Sequence, residues 1–321
     1  MSLTCTAGFF IRLFLFYILG SGLVIVTLFV QTRFMKIIRR IFDLRGTPIL
    51  AAVFVVLFIA EGKRQLRKRK QPRIKRAIIN SLVSIPGFSL MRLLVLPVMV
   101  KLAAKNQQLQ WGLGYQYKSN TIIKGAVTFL LLDYTNYVWH VLNHKLPFLW
   151  RFHLVHHCDP DLDVTTALRF HFGEMIGSVF YRGAFVFLSG ATPLNVVLYE
   201  ILFEAATQFH HSNWKLPYKV EKALNKIIVT PRMHGIHHSI NRQETDSNYS
   251  VVFSFWDRLH NTVRLNINQD KIVTGVASYN NFDEMTVTYL LKLPFTKIRH
   301  QEINKERPAD ASLADKNCLA L

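Results

Sequence analysis

Apolar positions along the chain fall into long runs divided by short polar or basic stretches. Residues 8–30 (GFFIRLFLFYILGSGLVIVTLFV) are long enough to cross a bilayer as a helix. The run is long for a signal peptide and no small-residue cleavage pattern follows it, so it reads as an anchor. Residues 47–61 are apolar but short for a span, and 78–100 form a full-length run. Residues 101–121 are polar, with Trp111, Tyr115 and Tyr117, and read as an outer loop. Residues 122–139 read as a span back, and 175–206 as one tight apolar hairpin, or a re-entrant pair, turning near Pro193. From about Lys297 the chain is polar and reads as a tail. The pattern predicts an all-α, multi-pass membrane protein.

Between the second and third runs lies KRQLRKRKQPRIKR, residues 63–76, with nine Lys or Arg and no acid. It reads as a solvated loop, and beside apolar segments the bias of basic residues toward the inner face makes it cytoplasmic. The span order then puts residues 140–157 and 230–239 on that same face. Met35 opens a second basic stretch, MKIIRR, and is an alternative start.

Composition sharpens the picture. Of 321 residues, 50% are hydrophobic and only 18% charged, which excludes an ordinary soluble enzyme. The net charge of +19 would fit nucleic acid. With these apolar runs, an anionic membrane face explains it better, and an acidic redox partner is a further option. Cys5, Cys158 and Cys318 are scattered, with no CxxC, and exclude a zinc ribbon, an iron–sulfur cluster and a disulfide framework.

The candidate chemistry is histidine. Five of the 13 histidines lie between Asp133 and His157. His140 and His144 form HxxxH. His153, His156 and His157 form HxxHH, and His234, His237 and His238 form a second HxxHH. Spacings of three and four residues put such side chains on one helix face. Imidazole suits zinc, copper, iron and nickel. Eight imidazoles exceed the ligand set of one tetrahedral zinc, so two metal ions are the simpler count. Ligating histidines usually give their other ring N–H to a carboxylate or carbonyl. Asp133, on the stripe 133–137–140–144, and Asp257 are the candidate acceptors. Helix packing competes for Asp133, and a salt bridge with Arg258 for Asp257. Glu174 reads first as a helix-facing charge, with a metal ligand or an acceptor behind a ligating histidine as the alternatives. His260 and His300 read as ordinary polar residues. Thr230-Pro231 predicts the start of a helix carrying the third box, and Asp159-Pro160 the end of the second.

These motifs resemble the fatty acid hydroxylase superfamily, which includes sterol desaturases and lipid hydroxylases. The resemblance covers roughly residues 122–265. It rests on D133xxxY137xxH140xxxH144, LWRFHxxHH at 149–157, RFH at 169–171 with Glu174, HSN at 211–213, TPRMHGIHHS at 230–239 and NY…WDRLHNT at 248–262. It implies helices in the membrane with a cytoplasmic helical cap around a dinuclear iron centre. It also implies O2 as co-substrate and oxidation of a lipid C–H bond. The family ligands fall on His140, His144, His153, His156, His157, His234, His237 and His238. His211, adjacent to His210, matches a lone ligand between the second and third boxes. His171 matches a recurrent family histidine near the site. Val141 stands where many relatives have Arg, and His260-Asn261 where they have Phe-Gly. No haem domain is visible, so the resemblance implies a separate electron donor of ferredoxin or cytochrome type. Zinc can replace iron during purification.

The organisation expected is an N-terminal anchor and basic linker (1–46), transmembrane helices with the basic loop (47–121), the catalytic domain (122–265) and a C-terminal cap segment with a polar tail (266–321). Two other classes compete. A zinc-dependent membrane hydrolase would need about three ligands and a general base, and neither HxxHH has the Glu of HExxH. A membrane-anchored binding protein would not need this spacing.

Overall fold

The computed structural model describes residues 36–116, 120–279 and 281–299. The apolar run 8–30, Met35, Tyr117, His300 and the polar tail lie outside the described residues.

Apolar side chains at helical spacing build a bundle of long helices, and no strand occurs among the described residues. A π-helical segment, Ile38–Gly46, leads into α1 (Thr47–Lys63). The basic segment then connects to α2 (Arg73–Leu90), which passes through a π turn (Met91–Val95) into α3 (Leu96–Leu109). This helix runs further than expected: residues 101–109 are helical and not loop. Asn106 is buried there and donates to the Val186 carbonyl at 2.8 Å, and Gln110 ends the helix with φ 51°.

Asn120 caps α4 (Thr121–Lys145), accepting from the Ile123 N–H. Leu146 alone separates it from α5 (Pro147–His157), which Pro147 opens and which ends before Asp159-Pro160. The apolar hairpin forms as α6 (Phe172–Ser189) and α7 (Pro193–His211), with a reciprocal Thr192–Asn195 cap at the turn. Gly190, with φ 75°, packs on Gly112, φ 105°, so closely that a side chain at Gly112 would meet the Gly190 amide. The third histidine box lies on α8 (Pro231–His237). Thr230 holds the cap position without a capping bond, and the Glu221 carboxylate accepts from the Arg232 N–H instead.

α3, α6 and α7 share one core, in which Met99, Val100, Val186, Val197 and Tyr199 are buried. A second core sets Leu290 and Leu293 of the C-terminal segment against Leu154 and Val155 of α5. The rest of the bundle surface is apolar: Val56 on α1, Ile78 and Leu82 on α2, Ile122 on α4, Phe180 on α6 and Leu198 on α7 are exposed. Such a continuous apolar exterior is what a soluble protein avoids. Two helical stretches, Ile38–Lys63 and Arg73–Gln116, are long and apolar enough to cross a membrane.

The basic segment 63–76 departs in part from the expected solvated loop: Lys63, Arg64, Lys68, Lys70 and Lys75 are exposed, but Arg67 and Arg76 are buried. Arg76 is 3% exposed and pairs with Asp159 at 2.7 Å and Asp163 at 2.5 Å. Arg67 is 7% exposed and bonds the Pro231 carbonyl at 3.3 Å and Gln269 at 2.5 Å. The Lys70 and Gln71 amides donate to Asp161. The segment is a strap joining the end of the second box to the start of the third. The physical reason is local: Arg76 finds its acceptors on residues 159–166 and Arg67 on Pro231 and Gln269, and these bonds offset part of their desolvation.

Candidate metal centre

Two pairs of helices deliver the histidines to one end of the bundle. α4 returns from the 110–120 end and brings His140 and His144 in its last turns. α5 doubles back at once with His153, His156 and His157. α7 brings His210 and His211 to its C-terminus, where α8 meets it with His234 and His237, and His238 follows.

The side chains gather into two groups. His140, His144, His153, His157 and His237 form one, and His156, His211, His234 and His238 the other. Within each group, one ring nitrogen per residue lies within 4.8 Å of all the rest. All nine rings are buried. The groups adjoin: the His157 and His238 rings stack at 4.4 Å.

In the five-histidine group three outer ring nitrogens, those of His140, His153 and His237, are held. His140 Nδ1 is 2.7 Å from the Tyr249 carbonyl and His237 Nδ1 is 2.7 Å from the Ser247 carbonyl. His153 Nδ1 is 3.2 Å from Glu174 Oε2, and Asn143 donates to the other oxygen of that carboxylate. His144 Nδ1 lies 3.9 Å from Asp246. A carbonyl or carboxylate oxygen only accepts, so each held Nδ1 carries the proton and Nε2 offers a lone pair. The Nε2 atoms of all five rings are buried without a hydrogen-bond partner. Each such orphan costs about 1–3 kcal/mol, a cost removed when the atoms ligate a cation.

The four-histidine group packs nitrogen on nitrogen. His156 Nε2 is 3.0 Å from His211 Nε2, which is 3.0 Å from His234 Nε2, which is 3.2 Å from His238 Nε2. His211 Nδ1 is held at 2.7 Å from the Thr207 carbonyl. A tetrahedral ion with ligand bonds of about 2.0 Å spaces its nitrogens about 3.3 Å apart, close to this packing. The donor set fits two transition-metal ions. Burial, reinforced by neighbouring imidazoles, holds His156, His157, His234 and His238 well below their ordinary 6.5. Burial likewise pushes His211 and His237 down to about 3, so the rings are neutral and able to ligate.

The structure separates His210 from His211. His210 turns Nδ1 to the Val251 carbonyl at 3.1 Å and packs at a tilt against His234, outside both groups. His171 caps α6 through the Gly173 N–H and faces the Leu291 carbonyl. His260 stacks on Tyr137 at 5.0 Å, and Asn261 takes φ 56°, a left-handed conformation that Gly and Asn favour.

The carboxylates depart from expectation. Asp133 does not touch a histidine. It accepts from Trp256 Nε1 at 2.8 Å, the Phe253 amide at 3.1 Å and Tyr199 at 3.3 Å. It shares the face of His140 but sits seven residues back, about 10 Å along the axis, beyond reach. Asp257 also misses the rings. It accepts from the Tyr249 and Ser250 amides and from Thr262, so it fixes the loop whose Tyr249 carbonyl holds His140. Arg258 bonds Asn225 and Ser254 instead of Asp257. The carboxylate that meets a ligating ring is Glu174, through its place in the first turn of α6. Asp246 and the three carbonyls were not foreseen: every residue has a carbonyl, so no residue type marks them.

A pocket opens beside both groups, lined by His140, His153, His156, His211 and His234. It adjoins a second, mostly apolar pocket between α2, α4, α6 and α7.

The fatty acid hydroxylase family model matches residues 125–262. The chain is 31% identical over 143 residues to a cholesterol 25-hydroxylase-like protein of Danio rerio, covering 43% of this chain and 54% of that one. It is 28% identical over 165 residues to alkylglycerol monooxygenase of Homo sapiens, 50% of this chain and 35% of the relative. With an ornithine lipid hydroxylase of Rhizobium tropici it shares 29% identity over 214 residues, 64% and 58%. The chain spans about half the length, or less, of the first curated relatives it matches. No solved structure matches it.

Proposed function

We propose that this chain, whose residues 125–262 match the fatty acid hydroxylase family model, is a membrane-bound oxygenase of that superfamily that hydroxylates or desaturates a lipid C–H bond. The observation that carries the reading is two buried groups of converging imidazole nitrogens beside an apolar cavity. His140, His144, His153, His157 and His237 would hold one iron ion, and His156, His211, His234 and His238 the other. Bound there, the irons would supply activation of O2 with electrons from a separate protein of ferredoxin or cytochrome type.

The residues of the chain do the rest. Tyr249, Ser247, Thr207 and Glu174 fix the ring tautomers and keep each Nε2 lone pair turned inward. Nine neutral rings leave the ions' positive charge uncompensated, which favours a developing anion at the centre. Burial excludes water, and the cavity wall orients the lipid so that one carbon faces the centre.

The topology supports this reading. The strap bonds directly to the segments beside boxes two and three, so all share one side of any bilayer. Its basic residues make that side cytoplasmic. We assign residues 1–46 to an anchor and linker, 47–121 to membrane helices, 122–265 to the catalytic domain and 266–321 to a cap segment and tail. The test supplies isotopically labelled O2 and an electron donor to the purified protein and follows lipids by mass spectrometry. Label in a new hydroxyl supports a hydroxylase, and a new double bond without label supports a desaturase on the same metals. A hydroxyl whose oxygen comes from water contradicts both.

A further inference from the structure

A charged cluster sits deep in the bundle, away from the histidines. Arg182, midway along α6, is buried and donates to the Glu200 carboxylate. Its guanidinium lies 5.6 Å from the Phe203 ring. Glu200 is fully buried, and Glu204 follows one turn later on α7. Glu204 receives no hydrogen bond from the described residues, and its charged neighbours are Glu200 and Arg182. Ionisable groups at membrane depth are costly and mark a pathway or a ligand site. Here they line a space: Arg182 and Glu204 stand in the wall of the mostly apolar pocket, otherwise lined largely by groups such as Phe88, Met91, Trp139 and Met175.

That cavity continues toward the histidines. Asn136, Trp139, Phe170, Glu174 and Phe203 line both it and the pocket at the rings. Along α7, residues 200, 204, 207 and 211 step by four, three and four, so Glu200, Glu204, Thr207 and His211 share one face. Glu204 is seven residues from His211, about 10 Å along the helix axis.

We propose that Arg182 and Glu204 bind a hydroxyl group of the lipid and thereby set which carbon reaches the histidine centre. This rests on the lipid-oxygenase reading of that centre and names the class of lipid it takes. The chemistry selects among polar groups. A hydroxyl donates a hydrogen bond to the Glu204 carboxylate and can accept one from the Arg182 guanidinium, which only donates. A carboxylate lipid would face the Glu204 charge, and an ammonium the Arg182 charge. Glu204 is half-buried, and a plain hydrocarbon, or an ether, leaves it without a donor in a largely apolar wall, which disfavours those lipids. The oxidised carbon then lies about 10 Å from the hydroxyl.

The test measures binding of tritiated octadecan-1-ol and cholesterol, and of their methyl ethers, to the purified, metal-loaded protein in detergent. For at least one of the two skeletons the alcohol should bind about tenfold or more tighter than its ether. Glu204→Leu should reduce that preference below about threefold, and Glu204→Gln, which keeps a carbonyl acceptor, should retain most of it. Equal binding of alcohol and ether on both skeletons, no binding of either alcohol, or an undiminished preference in Glu204→Leu overturns the proposal. A hydroxyl preference in a protein that neither incorporates oxygen from O2 nor desaturates its lipid upholds this site and removes the oxygenase reading. Incorporation without the preference does the reverse.

Discussion

The two histidine groups are built on different principles. The five-histidine group is held from outside. The loop 246–250 supplies the Ser247 and Tyr249 carbonyls and the Asp246 carboxylate, and α6 supplies Glu174. In the four-histidine group, His211 has the Thr207 carbonyl, while the Nδ1 atoms of His156, His234 and His238 are buried without a partner. Its geometry comes from where α5, α7 and α8 place the rings. Partners behind a ligand raise metal affinity about 10–100-fold each. The first group is therefore the more preorganised, and it depends on a loop. The second depends on helix packing.

Breaking either group outright gives the largest effect. His157→Ala and His238→Ala remove one inward nitrogen each and should abolish lipid oxidation. His211→Ala should behave like them. Turnover assays on folded, membrane-inserted variants check this, and near-normal activity in any of the three removes that residue from the centre.

Glu174→Ala sharpens the contrast. It frees His153 Nδ1 and touches the first group alone, so one ion should bind about 10–100-fold more weakly while the other is unchanged. Metal titration followed by elemental analysis separates the two. Equal weakening of both ions would mean that the groups act as one unit.

How far the sequence reaches follows the same division. The boxes were legible because three- and four-residue spacing on a helix decides which rings share a face. The hairpin turn near Pro193 and the helix starting at Pro231 were legible from capping and proline chemistry. The holders of the first group were not. Carbonyls carry no residue signature, and Asp133, in register with His140, lies two turns too far to serve it. The strap was misread because nine basic residues resemble a solvated loop until Asp159, Asp163 and Gln269 arrive from distant segments to meet Arg76 and Arg67. The extension of α3 to Leu109 escaped notice because its polar residues are good helix formers.

A smaller effect is expected at Asp257, one step behind the Tyr249 carbonyl. Asp257→Asn keeps the shape but weakens the bonds to the Tyr249 and Ser250 amides. Metal affinity of the five-histidine group should fall by less than about tenfold, the low end for a supporting partner, with no change in the other group. The smallest is His210→Ala. It leaves the Val251 carbonyl unpaired, costs about 1–3 kcal/mol of stability, and should spare most of the activity. Thermal unfolding and turnover measured on one preparation check both halves. Loss of activity equal to that of His211→Ala would move the ligand by one residue.

The most direct test counts the metal as it leaves. Protein purified gently and loaded with iron should hold two ions per chain. Dialysis against rising chelator, followed by elemental analysis, should release them in two steps. The four-histidine group should empty first, because fewer partners stand behind its rings. His238→Ala should show only the later step, and Glu174→Ala should bring the two steps together. A wild-type chain that binds one ion or none, or that keeps full activity once the chelator has removed all metal, contradicts the account.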